Sequence, residues 1–219
     1  MRAMSDPEQS PSPRPPQLWG VCGGSGSGKS TLVSMLLGEL PPHAVTVISF
    51  DAYYRDLGRL PAAQRAAVNY DHPDSLESEL LASHLRDLLA GRPARMPRYD
   101  FASHARLDGT EPLAPAPIVL VEGILLFSFP ALTSLFDYTI FIDVPESVRL
   151  ERRVARDVVT RGRSEESVRA QFAATVGPMH WEFVQPGVDL ADRVVRYGED
   201  YEAVARELAD KARPWITSQ

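Results

Sequence analysis

Gly23-Gly24-Ser25-Gly26-Ser27-Gly28-Lys29-Ser30-Thr31 completes the pattern G-x-x-x-x-G-K-[ST]. Glycines at this spacing let successive backbone N–H groups turn inward around phosphate oxygens. Lys29 supplies a point charge for terminal phosphates, and the Ser30 hydroxyl can ligate magnesium. The segment follows the apolar run Leu18 to Cys22 and precedes a leucine-rich helical pattern, the strand–loop–helix context the motif needs. A bound nucleoside triphosphate is the implication. The alternative is a flexible Gly/Ser loop matching by chance. The motif does not say what becomes of the terminal phosphate.

Phosphoryl transfer needs cations over the moving group and something to orient or deprotonate the acceptor. Asp51 follows the apolar run Val45 to Phe50, and Glu122 follows Ile118 to Val121. Both are strand-end carboxylates, where ligand crevices of parallel sheets open. Glu122 is a candidate near magnesium or its waters; otherwise it is a helix cap or a solvated acid. Asp51 is a candidate for acceptor chemistry, or else a cap for the following turn. Arg149, Arg152, Arg153 and Arg156 fall at helical spacing, and Arg161-Gly162-Arg163 follows. Such a strip can close over phosphates as a lid, or it is a solvated face balanced by Glu146, Glu151 and Asp157. Six arginines within residues 149–163 of an acidic chain favour the lid.

The elements that must hold these groups alternate. Buried runs at 18–22, 45–50, 118–121, 138–142 and 193–196 alternate with helical patterns at 29–40, 74–90, 146–160, 165–176 and 199–212. The expected class is α/β, with a mostly parallel sheet covered by helices on both faces. Asp74 and Glu77 suggest a capping box for the second helix. Residues 93–117 are proline-rich, with Asp108-Gly109 as the turn signal of a short hairpin. Residues 1–16 read as a disordered Pro-rich tail, and 17–219 as one domain.

With 219 residues and 44% hydrophobic content, the chain can bury one full core. A net charge of −6 argues against nucleic acid as the main partner. Cys22 is the single cysteine; it cannot pair within the chain and reads as small apolar filler in a strand. No run approaches a membrane span and no signal core is seen, so no membrane partner and a cytoplasmic location are expected.

Further blocks stand in order along the chain: Tyr70-Asp71-His72-Pro73-Asp74-Ser75, Tyr99-Asp100-Phe101-Ala102-Ser103-His104, Glu122-Gly123-Ile124-Leu125, and Arg152-Arg153-Val154-Ala155-Arg156-Asp157 with Arg161-Gly162-Arg163. Together with the phosphate loop they resemble the signature blocks of the uridine kinase (uridine/cytidine kinase) family over residues 18–211. The resemblance implies a P-loop NTPase fold with an arginine-rich lid and a small nucleoside-binding hairpin region. It also implies transfer of the γ-phosphate of ATP or GTP to the 5′-hydroxyl of uridine or cytidine, with Mg²⁺. By motif position, Asp51 matches the family's base, acting with Lys29 and Arg156. Tyr54 lies by the same pocket, Asp71 matches the carboxylate on the ribose hydroxyls, and Tyr99 and His104 match pyrimidine contacts. Arg153, Arg163 and Gln171 match further nucleoside-side residues. Arg161 matches a lid residue near the triphosphate, and Asp200 one near the donor nucleotide. A homo-oligomer, often a tetramer, is implied by resemblance alone. The stretch Gln185 to Asp192 lacks the basic residues this family often carries before its Ala-Asp pair. Two other readings compete: a related small-molecule kinase acting on pantothenate or phosphoribulose, and a nucleotide-switched regulatory NTPase. For the latter, the Asn-Lys-x-Asp segment of a guanine-specific switch is missing.

Overall fold

Strand β1 (Gln17–Cys22) alternates its side chains between two separate cores: Leu18 and Cys22 on one side of the sheet, Trp19 and Val21 on the other. This computed structural model describes residues 15–101 and 103–216; the tail read at 1–16 lies outside them except for its last two residues. The remaining strands are β2 (Val45–Ser49), β3 (Ala94–Asp100), β4 (Ala105–Leu113), β5 (Ile118–Gly123), β6 (Tyr138–Asp143) and β7 (Arg193–Arg196). The helices are α1 (Lys29–Gly38), α2 (Ala62–Ala66), α3 (Ser78–Leu89), α4 (Pro130–Thr133), α5 (Glu146–Arg161), α6 (Glu165–Gln171), α7 (Gly177–Met179) and α8 (Tyr201–Ile216).

Five strands form a parallel sheet in the order β2-β5-β1-β6-β7. The continuous apolar runs have their cause here, since a parallel strand between two helical layers buries both faces. In β5, Val119 and Val121 join one core with Tyr53, Leu81, Leu85 and Phe127; Ile118 and Leu120 join the other with Leu32, Leu36, Val204 and Leu208. Each such fully buried side chain contributes about 1.5–3 kcal/mol. Cys22 is buried filler, as expected, with its thiol 3.3 Å from the carbonyl of Ile124. The carboxyl ends of β1, β2 and β5 open on one edge, which fixes where a ligand can sit.

Two local expectations are corrected. The helix read from Asp74 begins at Ser78, and no Asp74–Glu77 capping box forms. Pro73 instead starts a separate 3₁₀ turn over Pro73–Ser75, whose Asp74 N–H is capped by His72 Nδ1 at 3.1 Å. Leu76 is then extended and bridges to Tyr54, so the helix cannot start earlier. Glu77 turns to Arg106, at 2.6 Å. The hairpin exists as β3 and β4, but β3 ends at Asp100 and β4 already runs from Ala105, so Asp108-Gly109 lies within a strand. Asp108 and Gly109 are the extra residues of a bulge opposite Pro97/Arg98, where Gly109 takes φ +83°. A bulge and a hairpin turn both call for a left-handed glycine, so the dipeptide signals either.

The helix read at 165–176 runs further than expected. α6 passes into π-helical turns at Phe172–Val176 and His180–Val184 with α7 between them, and a 3₁₀ segment covers Gln185–Leu190. Among the described residues no helix is long and apolar enough to cross a membrane.

Candidate active site

A cleft of 430 Å³ lies over the carboxyl edge of the sheet, and the phosphate loop forms one wall. Gly23, Gly26 and Gly28 take φ of +145°, +81° and +100°, conformations a side chain rarely adopts. Space makes the same demand: a Cβ on Gly26 would stand 2.4 Å from the carbonyl oxygen of Arg149. Gly28 caps α1 without any side-chain partner, so the first-turn N–H groups of this helix remain available to an anion. Lys29 donates to the carbonyls of Gly23 (2.9 Å) and Gly24 (3.3 Å). From behind, Tyr201 Oη (2.9 Å) and Arg152 Nη1 (3.2 Å) donate to the carbonyl of Ser27. Ser25, Gly26, Gly28, Lys29, Ser30 and Thr31 line the cleft, whereas Gly23, Gly24 and Ser27 shape the loop from beneath.

Opposite stand the carboxylates. Asp51 sits in a 3₁₀ turn directly after β2, pinned by fully buried Phe50 and Tyr53 on either side of it in the turn. Its Oδ1 is buried without a hydrogen-bond partner. Burial, and then the negative charge of Glu122, push the Asp51 carboxyl up to about 6, against the pull of Lys29. Glu122 is brought there by strand register: Ser49 pairs with it across β2 and β5, and Ser49 Oγ donates to Glu122 Oε1 at 3.1 Å. The donors gathered here, Ser30 Oγ and the Glu122 and Asp51 carboxylates, are hard oxygens of the kind Mg²⁺ prefers, and they lie beside the phosphate loop.

The far end of the cleft is aromatic. Tyr54 packs between Tyr70 and Tyr99, with ring centroids 5.4 and 5.2 Å away, and Tyr99 meets Phe101 at 5.3 Å. The ring of His104 stacks flat on Tyr70 at 4.4 Å, so its face is covered. His104 also holds φ +52°, the one non-glycine residue with positive φ among those described. Burial and the cations Arg161, Arg163 and Arg65 lower its pKa, leaving a neutral imidazole near pH 7. Asp71 opens on the same space; burial raises its carboxyl while Arg153 and Arg161 pull it back.

The family model described as "Phosphoribulokinase / Uridine kinase family" matches residues 18–203, from β1 into α8. The chain belongs to this family. It is similar to a uridine kinase of Chloroflexus aurantiacus, 45% identical over 81% of this chain and 85% of that one. It is also similar to a uridine kinase of Ligilactobacillus salivarius, 38% identical over 90% and 93% of the two chains. Among solved structures, phosphoribulokinase from Rhodobacter spheroides superposes with a TM-score of 0.61 at 18% identity, covering 85% of this chain and 72% of that one, a likeness of fold. Membership makes the chain a P-loop kinase.

In this member of the phosphoribulokinase/uridine kinase family the arginine strip divides. Arg149 is buried behind the phosphate loop, its Nε donating to the carbonyl of Val144 at 3.1 Å, and is no part of a lid face. Helical spacing gave it the same side as Arg153, but that side packs under the loop near its base and reaches the cleft only further along. Arg152, Arg153, Arg156, Arg161 and Arg163 do line the cleft. Gln171 also lines it, with Oε1 held by Arg153 (3.0 Å) and Arg163 (2.7 Å). Asp200 stands apart, in a second depression with Tyr197, Glu199 and Tyr201 beside Gly28 and Thr31. Tyr70, Phe101 and Ile124 line the cleft without having been singled out. Tyr70 could have been found, since it directly precedes Asp71 in the same block.

Proposed function

We propose that the chain transfers the terminal phosphoryl group of ATP or GTP to the 5′-hydroxyl of uridine or cytidine. The observation that carries this reading is a single cleft joining the phosphate loop to Asp51, Asp71 and an aromatic end built from Tyr54, Tyr70, Tyr99 and His104. Two relatives named uridine kinase, 45% and 38% identical over most of both chains, support it.

On this reading the α1 N-terminus and Lys29 hold the donor's phosphates. Ser30 and Glu122 would hold Mg²⁺, which neutralises charge on the phosphates when bound. Asp71 accepts hydrogen bonds from the ribose diol, which a carboxylate can take two at a time. Tyr99 offers a face for the pyrimidine, and neutral His104 presents one donor or acceptor nitrogen to its polar edge. Asp51 receives the proton of the 5′-hydroxyl. With its carboxyl near 6 it is mostly ionised at pH 7 yet basic enough to take a proton, the compromise a general base needs. Arg156 and Arg161 face the transferring group and offset its negative charge. Asp200 would lie toward the donor's nucleoside.

A coupled assay of ADP release across uridine, cytidine, adenosine, thymidine, pantothenate and ribulose 5-phosphate tests the proposal. Turnover is expected on a pyrimidine ribonucleoside. Turnover on other acceptors alone, or equal ATP hydrolysis with and without uridine, would overturn it.

A further inference from the structure

Asp157 is fully buried near the C-terminal end of α5, and four guanidinium groups converge on it. Arg156 donates to Oδ1 through Nε at 2.8 Å, with Nη2 at the same distance. Around Oδ2 stand Arg161 Nη1 at 3.5 Å, and Arg153 Nε and Arg163 Nη1 at 3.7 Å. The main chain repeats the arrangement: the Asp157 carbonyl accepts the N–H of Gly162, which ends the helix at φ +62°, and that of Arg163 at 3.3 Å. Asp157 does not line the cleft, while all four of its arginines do. It therefore stands behind a wall of cations, hydrogen-bonded to Arg156 and Arg161 and 3.7 Å from Arg153 and Arg163. A guanidinium has five N–H donors in a rigid plane, so spending one or two on Asp157 fixes the direction of the rest.

We propose that Asp157 is a positioning residue for phosphoryl transfer: its carboxylate sets the planes of Arg156 and Arg161 so that their remaining N–H groups meet the donor's phosphates already oriented. This rests on the phosphoryl-transfer reading above. Without Asp157, four like charges gathered along the last turns of α5 and the loop after it would spread, and their orientation would have to be regained in each turnover.

The test compares Asp157→Glu, which keeps the charge but moves the carboxylate by one methylene, with Asp157→Asn, which keeps the size but removes the charge. Folding is checked by circular dichroism, kcat by ADP release, and the dissociation constant for ATP by calorimetry. The expected result for Asp157→Glu is kcat about 10–100-fold lower with ATP affinity within about twofold of wild type, because misplaced groups lose rate before binding. Asp157→Asn should lose at least as much kcat and bind ATP as tightly or more tightly, since a negative charge has left an anion site. Wild-type kcat in folded Asp157→Glu would overturn the proposal. So would a fall in ATP affinity matching the fall in kcat, or failure of both variants to fold, which would make Asp157 purely structural. A wild-type enzyme that prefers an acceptor other than a pyrimidine nucleoside would refute the substrate reading alone; the ratio of variant to wild type is then read on that acceptor.

Discussion

Replacing Asp51 by Asn should make the protein more stable and nearly inactive. Moving a carboxyl from an ordinary 3.8 to about 6 corresponds to about 3 kcal/mol against its ionised form in the folded state. A pKa raised on folding means that the native state holds the proton more tightly than the unfolded chain. Below about pH 3 the group is protonated in both states and costs nothing; the penalty sets in as pH rises through the unfolded-state 3.8 and is complete above about 6. The amide is never charged, so Asp51→Asn should melt up to roughly 6–12 °C higher than wild type at pH 8, with the gain shrinking toward zero near about pH 3. The same change removes the proton acceptor, so kcat should fall about 10²–10⁴-fold while ATP affinity stays nearly intact. In the wild type, kcat should decline as pH falls through 6. Urea or thermal unfolding at both pH values, set beside steady-state kinetics, provides the check. A variant destabilised at pH 8, or one retaining full kcat, would refute the argument, because either result denies a buried, charge-strained base.

Other outcomes are expected at single sites. Asp71→Ala should raise KM for uridine by about 10-fold or more with little effect on ATP binding, and a normal KM would remove Asp71 from the ribose contact. Gly26→Ala combines φ +81° with a Cβ 2.4 Å from a backbone oxygen, so ATP binding measured by calorimetry should be lost even where the variant remains folded. Gly123→Ala would press a methyl to 2.7 Å from Phe50 Cβ, at the root of the Asp51 turn; unfolding should show a loss of about 1–3 kcal/mol.

Sequence alone revealed those parts of the site whose residue types have one main use. A Gly-rich loop ending in Gly-Lys-Ser-Thr, acids at the ends of apolar runs, and blocks around Asp71 and His104 could be placed before any coordinates, and the cleft gathers them. What stayed hidden depends on what packs against what. Arg149 shares its spacing with Arg153, yet Arg149 packs behind the phosphate loop while Arg153, also buried, reaches the cleft and donates to Ser25 Oγ at 3.0 Å. Asp108-Gly109 signals a left-handed glycine equally well for a bulge or a turn. Tyr70 gains its place in the pocket from ring contacts, edge-on to Tyr54 and stacked with His104, that chain spacing does not show. The start of α3 was set by the pairing of Leu76 with Tyr54, a tertiary contact that helical periodicity does not register.

The β3–β4 ribbon shares no strand with the five-stranded sheet. It adheres through Ala94, Met96, Tyr99 and Leu113, and its outer strand is largely open to solvent. The phosphate loop belongs to the sheet and its helices, lying between β1 and α1, while much of the aromatic end belongs to this ribbon. Substitutions at the exposed positions of β4 can therefore alter the ribbon without reaching the parallel core, whereas those at Ala94 or Leu113 cannot.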